Sequence, residues 1–357
     1  MLYNLIKGNR LSTGRRENKM KIIKRTCALL LSIFYIISFV SCNDAKTKPQ
    51  SRVFYEYFDT VGALYDYSGM PDDKFAEVAD KVENMLFEYH MLYDIYNEYE
   101  GITNLATLNK TAGEGPQSVD KKIVDLLLFS KEMYNLTDGK INVAMGSVLG
   151  IWHDYREEGT SVPPKEMLEA AKEHTDINDV VIDEENMTVQ ITDSELSIDV
   201  GAVAKGYAVE MTVAKLEAEG YSGLVLDVGG NLRAIGTKPN GDGWSAGVKN
   251  PDFTSSKAYV YTFNLKNEAL VTSGSYERFY TVNGIRYHHI INGETLMPEN
   301  YYISVSVKSD SSALSDALST AIFNMKYEDA KKFVEGFINI TVVFVMPDGE
   351  VRTVSGK

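Results

Sequence analysis

The chain has 357 residues, 44% of them hydrophobic and 24% charged, with only 9 prolines; this excludes a disordered or collagen-like polymer and leaves room for two domains at most. Its formal charge of −14 at pH 7 argues against a nucleic-acid partner, because phosphate contacts need clustered Lys and Arg. Two cysteines exclude both a disulfide scaffold and a four-cysteine zinc site.

Residues 20–42 start with Met-Lys-Ile-Ile-Lys-Arg, run through 13 mostly apolar positions at 28–40, and end in Ser41 and Cys42. A basic start, a short apolar run and a small residue before the cut describe a secretory signal. The run is too short to span a bilayer, which takes about 20 residues. Cys42 behind Phe39-Val40-Ser41 resembles a bacterial lipobox, whose cleavage leaves a lipidated cysteine in first place. Residues 1–41 therefore read as an upstream segment and lipoprotein signal, and 42–51 as a polar tether. Residues 52–357 form the working domain, exported and held to the outer face of the cell membrane by lipid on Cys42. Taking eight of 36 basic groups and one of 50 acidic groups away with residues 1–41 leaves 28 and 49, a net charge of −21.

From residue 52 onward, short strand patterns mix with amphipathic helices. Residues 53–58 and 61–65 read as a hairpin. Apolar positions at helical spacing predict helices at 72–96 and 120–134, and the prolines at 163–164 open another at 165–174. Strands follow at 180–182, 188–192 and 195–200, then a helix at 202–220 that stops at a glycine. Further strands are expected at 224–228, 244–249, 258–265, 269–272, 279–282, 287–292, 302–308 and 341–346, with a helix at 315–324. Hairpin-length gaps favour an α+β fold of antiparallel or mixed sheets packed with helices, not a doubly wound one.

Four segments could carry chemistry. In Asp199-Val-Gly-Ala-Val-Ala-Lys-Gly-Tyr-Ala208, small residues bring the backbone close to a helix N-terminus, where Lys205 opposes the helix dipole unless an anion answers it. A tight strand-to-helix connection with an exposed lysine is the plain alternative. Asp227 closes a strand before Gly229-Gly230 and serves either a ligand or the turn. Thr272, Ser273 and Gly274 offer hydroxyls and a close backbone approach for a phosphate or ribose. Nearby, His288 and His289 are adjacent on a strand, so they face opposite sides and cannot share one site. Finally, Asp316 and Thr320 stand one helical turn apart, so a carboxylate and a hydroxyl converge as Mg²⁺ ligands do, unless both only satisfy the helix start.

These segments, in this order, resemble the ApbE family of FAD:protein FMN transferases over roughly residues 54–348. Phe58-Asp59-Thr60 and the stretch from Asn142 to Trp152 match weaker landmarks of that family. The resemblance implies an ApbE-like fold with the ligand site between its two halves. It also implies Mg²⁺ held by Asp316, Thr320 and the carbonyl of Ala202. FAD would be the substrate, with Lys205 at the diphosphate and Gly206, Asp227, Thr272, Ser273 and Gly274 around the cofactor. One departure is present: the family usually has Asp-Pro after His-Ile-Ile, and here Asn292-Gly293 stands instead.

The expected reaction moves FMN from FAD to a Ser or Thr hydroxyl of an exported or membrane redox protein bearing an Asp-x-x-Thr/Ser-Gly-Ala-Thr/Ser motif, releasing AMP. His289 is the candidate base and Asp316 the catalytic carboxylate. A Mg²⁺-dependent FAD pyrophosphatase and a lipoprotein that only binds FAD are the other readings, and the sequence does not separate the transferase from the pyrophosphatase.

Overall fold

The computed structural model describes residues 49–357, so the leader and the lipidation expected at Cys42 lie outside the described residues. β1 (Gln50–Tyr57) pairs antiparallel with β2 (Thr60–Asp66). Phe58 and Asp59 between them both have positive φ, 54° and 53°, as a two-residue hairpin turn with the right twist requires. Gln50 and Ser51 pair with Asp66 and Tyr65, so the predicted tether gives up its last two residues to β1.

A helical stretch follows: α1 (Asp72–Tyr93), α2 (Leu105–Lys110), β3 (Gln117–Ser118), α3 (Lys121–Leu136), α4 (Gly146–Glu158) and α5 (Lys165–Lys172). β4 (Val180–Asp183) and β5 (Thr188–Ile191) complete a three-stranded sheet with β3. The strand predicted at 195–200 is not one. That segment runs extended beside the start of α4 and exchanges isolated contacts with it, the Gly146 amide donating to Ser197 and the Asp199 amide to Val143.

α6 (Ala204–Ala218) comes next, then β6 (Leu224–Val228), β7 (Asn231–Ile235), β8 (Trp244–Lys249), β9 (Tyr259–Leu265) and β10 (Ala269–Gly274). β11 (Phe279–Val282) and β12 (Ile285–His288) form a separate hairpin. The predicted strand at 287–292 is thereby moved toward the N-terminus, and 289–292 become loop. β13 (Ser304–Ser309), α7 (Ser312–Phe323), α8 (Tyr327–Val334), β14 (Thr341–Val345) and β15 (Val351–Ser355) close the chain.

Eight strands make the main sheet in the order β1-β2-β6-β7-β10-β13-β14-β15, and each neighbouring pair is antiparallel. One face is covered by helices. α1 and α6 bring Val78, Val82, Val213 and Leu216 onto Leu64, Leu226 and Ile235, while α7 lays Ala317, Ala321 and Ile322 against Val305, Val307 and Phe344. The β8–β9 hairpin covers the other face with Trp244, Val248 and Leu265. Each fully buried side chain of this size is worth about 1.5–3 kcal/mol, so α6 and α7 are firmly seated. Alternation along each strand then decides which side chains reach the helix face, and therefore which can join a site built there.

Candidate active site

α6 begins after a turn at residues 201–203, and its first-turn amide at Gly206 does not bond back to the carbonyl four residues earlier. It donates instead to Oδ2 of Asp316 on α7, at 2.8 Å. The Ala202 carbonyl is thus without a helical partner among the described residues. Glycine is required here: a Cβ at 206 would lie 2.4 Å from Cβ of Asp316 and 2.5 Å from the Ser312 carbonyl. The missing side chain lets the two helices touch.

Asp316 is 4% exposed. Burial raises its pKa, opposed by the Lys205 charge, the Gly206 amide and a hydrogen bond from the Asn231 side chain. Asn231 opens β7, and its own Oδ1 is buried without a hydrogen-bond partner. One turn along α7, Thr320 Oγ1 lies 3.2 Å from Ser273 Oγ, which also meets Ser319 Oγ at 2.8 Å. A carboxylate, two hydroxyls, an amide oxygen and a free carbonyl therefore come from α7, β10, β7 and the start of α6. No group of three or more His, Cys, Asp or Glu gathers in metal-binding geometry among the described residues. Any ion held here would have one carboxylate and otherwise neutral oxygens.

The loop after β12 carries His289. Its backbone amide and its Nδ1 both point at the Arg278 carbonyl, at 3.0 and 3.2 Å. A carbonyl only accepts, so Nδ1 bears the hydrogen and Nε2 keeps its lone pair. Burial pushes the imidazole pKa down to about 3, helped by the positive fields of Arg278, His288, Arg156 and Lys205. His289 is a neutral acceptor at physiological pH. His288 faces the core as alternation demands: Nε2 donates to the Glu299 carbonyl at 2.9 Å, and Nδ1 accepts from the Ile290 amide at 3.2 Å.

Further groups stand nearby, and of these His153 and Arg156 carried no functional weight in the sequence. Asp199 caps the Gly201 amide at 2.8 Å; burial raises its pKa, against the positive fields of His153, Arg278 and Lys205. Lys205 Nζ reaches the Gly201 carbonyl at 3.4 Å. Arg156, from the last turn of α4, donates to His153 Nδ1 at 2.8 Å, and the His153 ring lies 5.5 Å from that of Tyr96. Helix α4 lacks a strong sequence signal because Gly146 and Gly150 sit in its first turns, which hid His153 and Arg156.

Three predicted residues lie elsewhere, all for reasons of strand parity. Leu226 and Val228 face the helices, so Asp227 faces the β8–β9 side, where its carboxylate caps the Gly230 amide at 3.0 Å. Thr272 bonds to Ser306 Oγ at 2.8 Å on that same far side. Gly274 follows it there, and a Cβ at that position would stand 3.0 Å from the Tyr276 ring. Of the three residues expected from β10, only Ser273 reaches Thr320. Parity points to Asn231 instead of Asp227 from the 226–231 stretch.

The departure at Asn292 is structural as well. Its Oδ1 accepts from the Glu294 and Thr295 amides at 2.8 and 3.3 Å, and so caps the following turn.

Residues 62–344 match the ApbE family. A protein named FAD:protein FMN transferase from Treponema pallidum (strain Nichols) is 30% identical over 305 residues, which cover 81% of this chain and 83% of the relative. One of the same name from Escherichia coli (strain K12) is 26% identical over 325 residues, 88% of this chain and 90% of its own. Among solved structures, the ApbE protein of Thermotoga maritima superposes with a TM-score of 0.76 at 26% identity, over 86% of this chain and 97% of that one. The flavin transferase ApbE from Vibrio cholerae gives a TM-score of 0.72 over 87% and 98% of the two chains; at 22% identity it speaks to the fold alone.

Proposed function

We propose, from the premise that this chain belongs to the ApbE family, that it is a flavin transferase moving FMN from FAD to a Ser or Thr hydroxyl of another protein, with AMP as the leaving group. One arrangement carries the reading: a buried carboxylate, Asp316, pinned by the Gly206 amide beside Thr320 and Ser273, with Lys205 as its nearest positive field. Buried negative charge with so little compensation suits a cation, and the orphaned Oδ1 of Asn231 is one more oxygen that a hydrated ion could satisfy. Asp316, Thr320 and the Ala202 carbonyl would hold Mg²⁺, whose chemistry is to neutralise diphosphate oxygens and withdraw electrons from phosphorus.

The rest falls to side chains. Lys205 supplies a local positive charge in a chain of net charge −14 that would otherwise repel a diphosphate. Nε2 of His289 accepts the proton of the acceptor hydroxyl, whose oxygen bonds to the flavin-side phosphorus. The bond from that phosphorus to the bridging oxygen breaks, and AMP leaves with the oxygen. The acceptor is an exported or membrane redox protein with an Asp-x-x-Thr/Ser-Gly-Ala-Thr/Ser segment, and the enzyme is held beside it by lipid on Cys42. For location the support is the leader sequence alone.

The test is transfer to a purified acceptor domain with FAD and Mg²⁺. Wild type modifies the acceptor, chelation of the metal stops it, and His289→Ala slows it by about 10²–10⁴-fold, as loss of a general base does. Wild-type turnover in His289→Ala would remove the histidine from the mechanism.

A further inference from the structure

The loop with His289 and the helix with Asp316 and Thr320 are not joined by a strand ladder. They are joined by two buried asparagines, each 4% exposed. Asn292 Nδ2 donates to the main-chain carbonyl of Asn324, just past the end of α7, at 3.2 Å. Asn324 Nδ2 donates back to the Ile291 carbonyl and also to the Thr320 carbonyl, both at 3.4 Å. The His288 ring meets Phe323 edge-on at 5.4 Å beside this pair.

The two ends of the Asn292 amide are occupied separately. Its oxygen caps the turn at Glu294 and Thr295, while its nitrogen donates to the carbonyl of Asn324 just past the end of α7. Burying two amides gives little net stability, since each hydrogen bond replaces one to water. What such a pair does supply is register. Main-chain bonds from the Asn292 amide to the Met297 carbonyl at 3.0 Å and from the Leu296 amide to the Asn292 carbonyl at 2.8 Å close the turn on itself, but they do not tie it to α7.

We propose that the reciprocal Asn292–Asn324 pair is a positioning device that fixes the His289 loop against the end of α7, and so sets the imidazole relative to Asp316 and Thr320. This rests on the reading of His289 as the base, but its test does not require transfer to occur. Asn292→Asp keeps the oxygen that caps the turn, removes the donor, and sets a carboxylate against the Asn324 carbonyl. Asn324→Ala removes the other half.

The readout is NMR titration of the His289 ring in the free protein. In wild type the ring stays neutral down to about 3. In both variants the loop loosens, the ring leaves its half-buried place beside the Arg278 carbonyl, and its pKa rises by about one unit or more toward the ordinary 6.5. Where transfer is measured, kcat falls about tenfold with KM for FAD little changed. Variants that melt earlier while His289 titrates as in wild type would overturn the proposal, because the pair would then be structural only. Since the titration is read without FAD, it decides this point even for a wild-type protein that transfers nothing.

Discussion

At the residue scale the site depends on charge compensation. Asp316 is buried with one cation in its field, Lys205, and that lysine is half-exposed at the start of α6. Replacing it by Ala should weaken FAD binding about tenfold, or ~1.4 kcal/mol, the worth of a charge-assisted contact, with melting temperature unchanged. Calorimetric titration with FAD checks this, and equal affinities would make Lys205 a surface residue. That Asp316 and Thr320 lie one turn apart on a helix, and Lys205 in the first turn of another, was legible in the sequence because helical periodicity fixes which residues share a turn. That Asp227, Thr272 and Gly274 lie on the opposite face of the sheet from Asp316 was not legible, because it takes their strands' parity carried through from Leu226 and Val271. His153, Arg156 and Arg278 were invisible: they gather near His289 only through tertiary packing of α4 and the β11–β12 hairpin, which no local pattern announces.

At the scale of elements, the decisive contact is α6 against α7. Gly206→Ala would put a methyl group into Asp316 and the Ser312 carbonyl, neither of which can retreat without moving a helix. Overpacking of this kind costs about 1–3 kcal/mol, and here it also breaks the amide-to-carboxylate bond, so both thermal stability and transfer should fall. A second junction is titratable. His174, past the end of α5, meets Asp193 at 2.7 Å, and that hydrogen bond raises the histidine's pKa while the Glu195 amide and His174 lower that of Asp193. A histidine with a raised folded pKa stabilises fully below its unfolded value near 6.5 and loses that contribution as pH rises through the folded value. The difference in melting temperature between wild type and His174→Gln should therefore be largest below pH 6 and shrink in alkali. A difference that grows with pH would refute the pairing. The first hairpin and helices α1, α3, α6 and α7 were well read from periodicity and turn residues, whereas strands β7 and β15 and helices α2, α4 and α8 were not expected. The segment at 195–200 was misread, since its apolar alternation reflects burial beside α4 and not a ladder.

At the scale of the whole molecule, an antiparallel sheet with helices on one face and a hairpin on the other makes a rigid floor for chemistry at the helix side. The α+β class followed from hairpin-length gaps, but the strand order could not, because β10 pairs with β7 across the intervening β8–β9 hairpin. Among the described residues no helix is long and apolar enough to cross a membrane. The reaction is defined by where the flavin phosphate ends up. Intact-mass measurement of an acceptor protein incubated with this enzyme, FAD and Mg²⁺, with AMP counted in the same sample, tests it most directly. The expected result is one FMN bound per acceptor through a Ser or Thr phosphoester, with AMP in equal amount. AMP and free FMN forming at the same rate without acceptor, and an acceptor of unchanged mass, would contradict it.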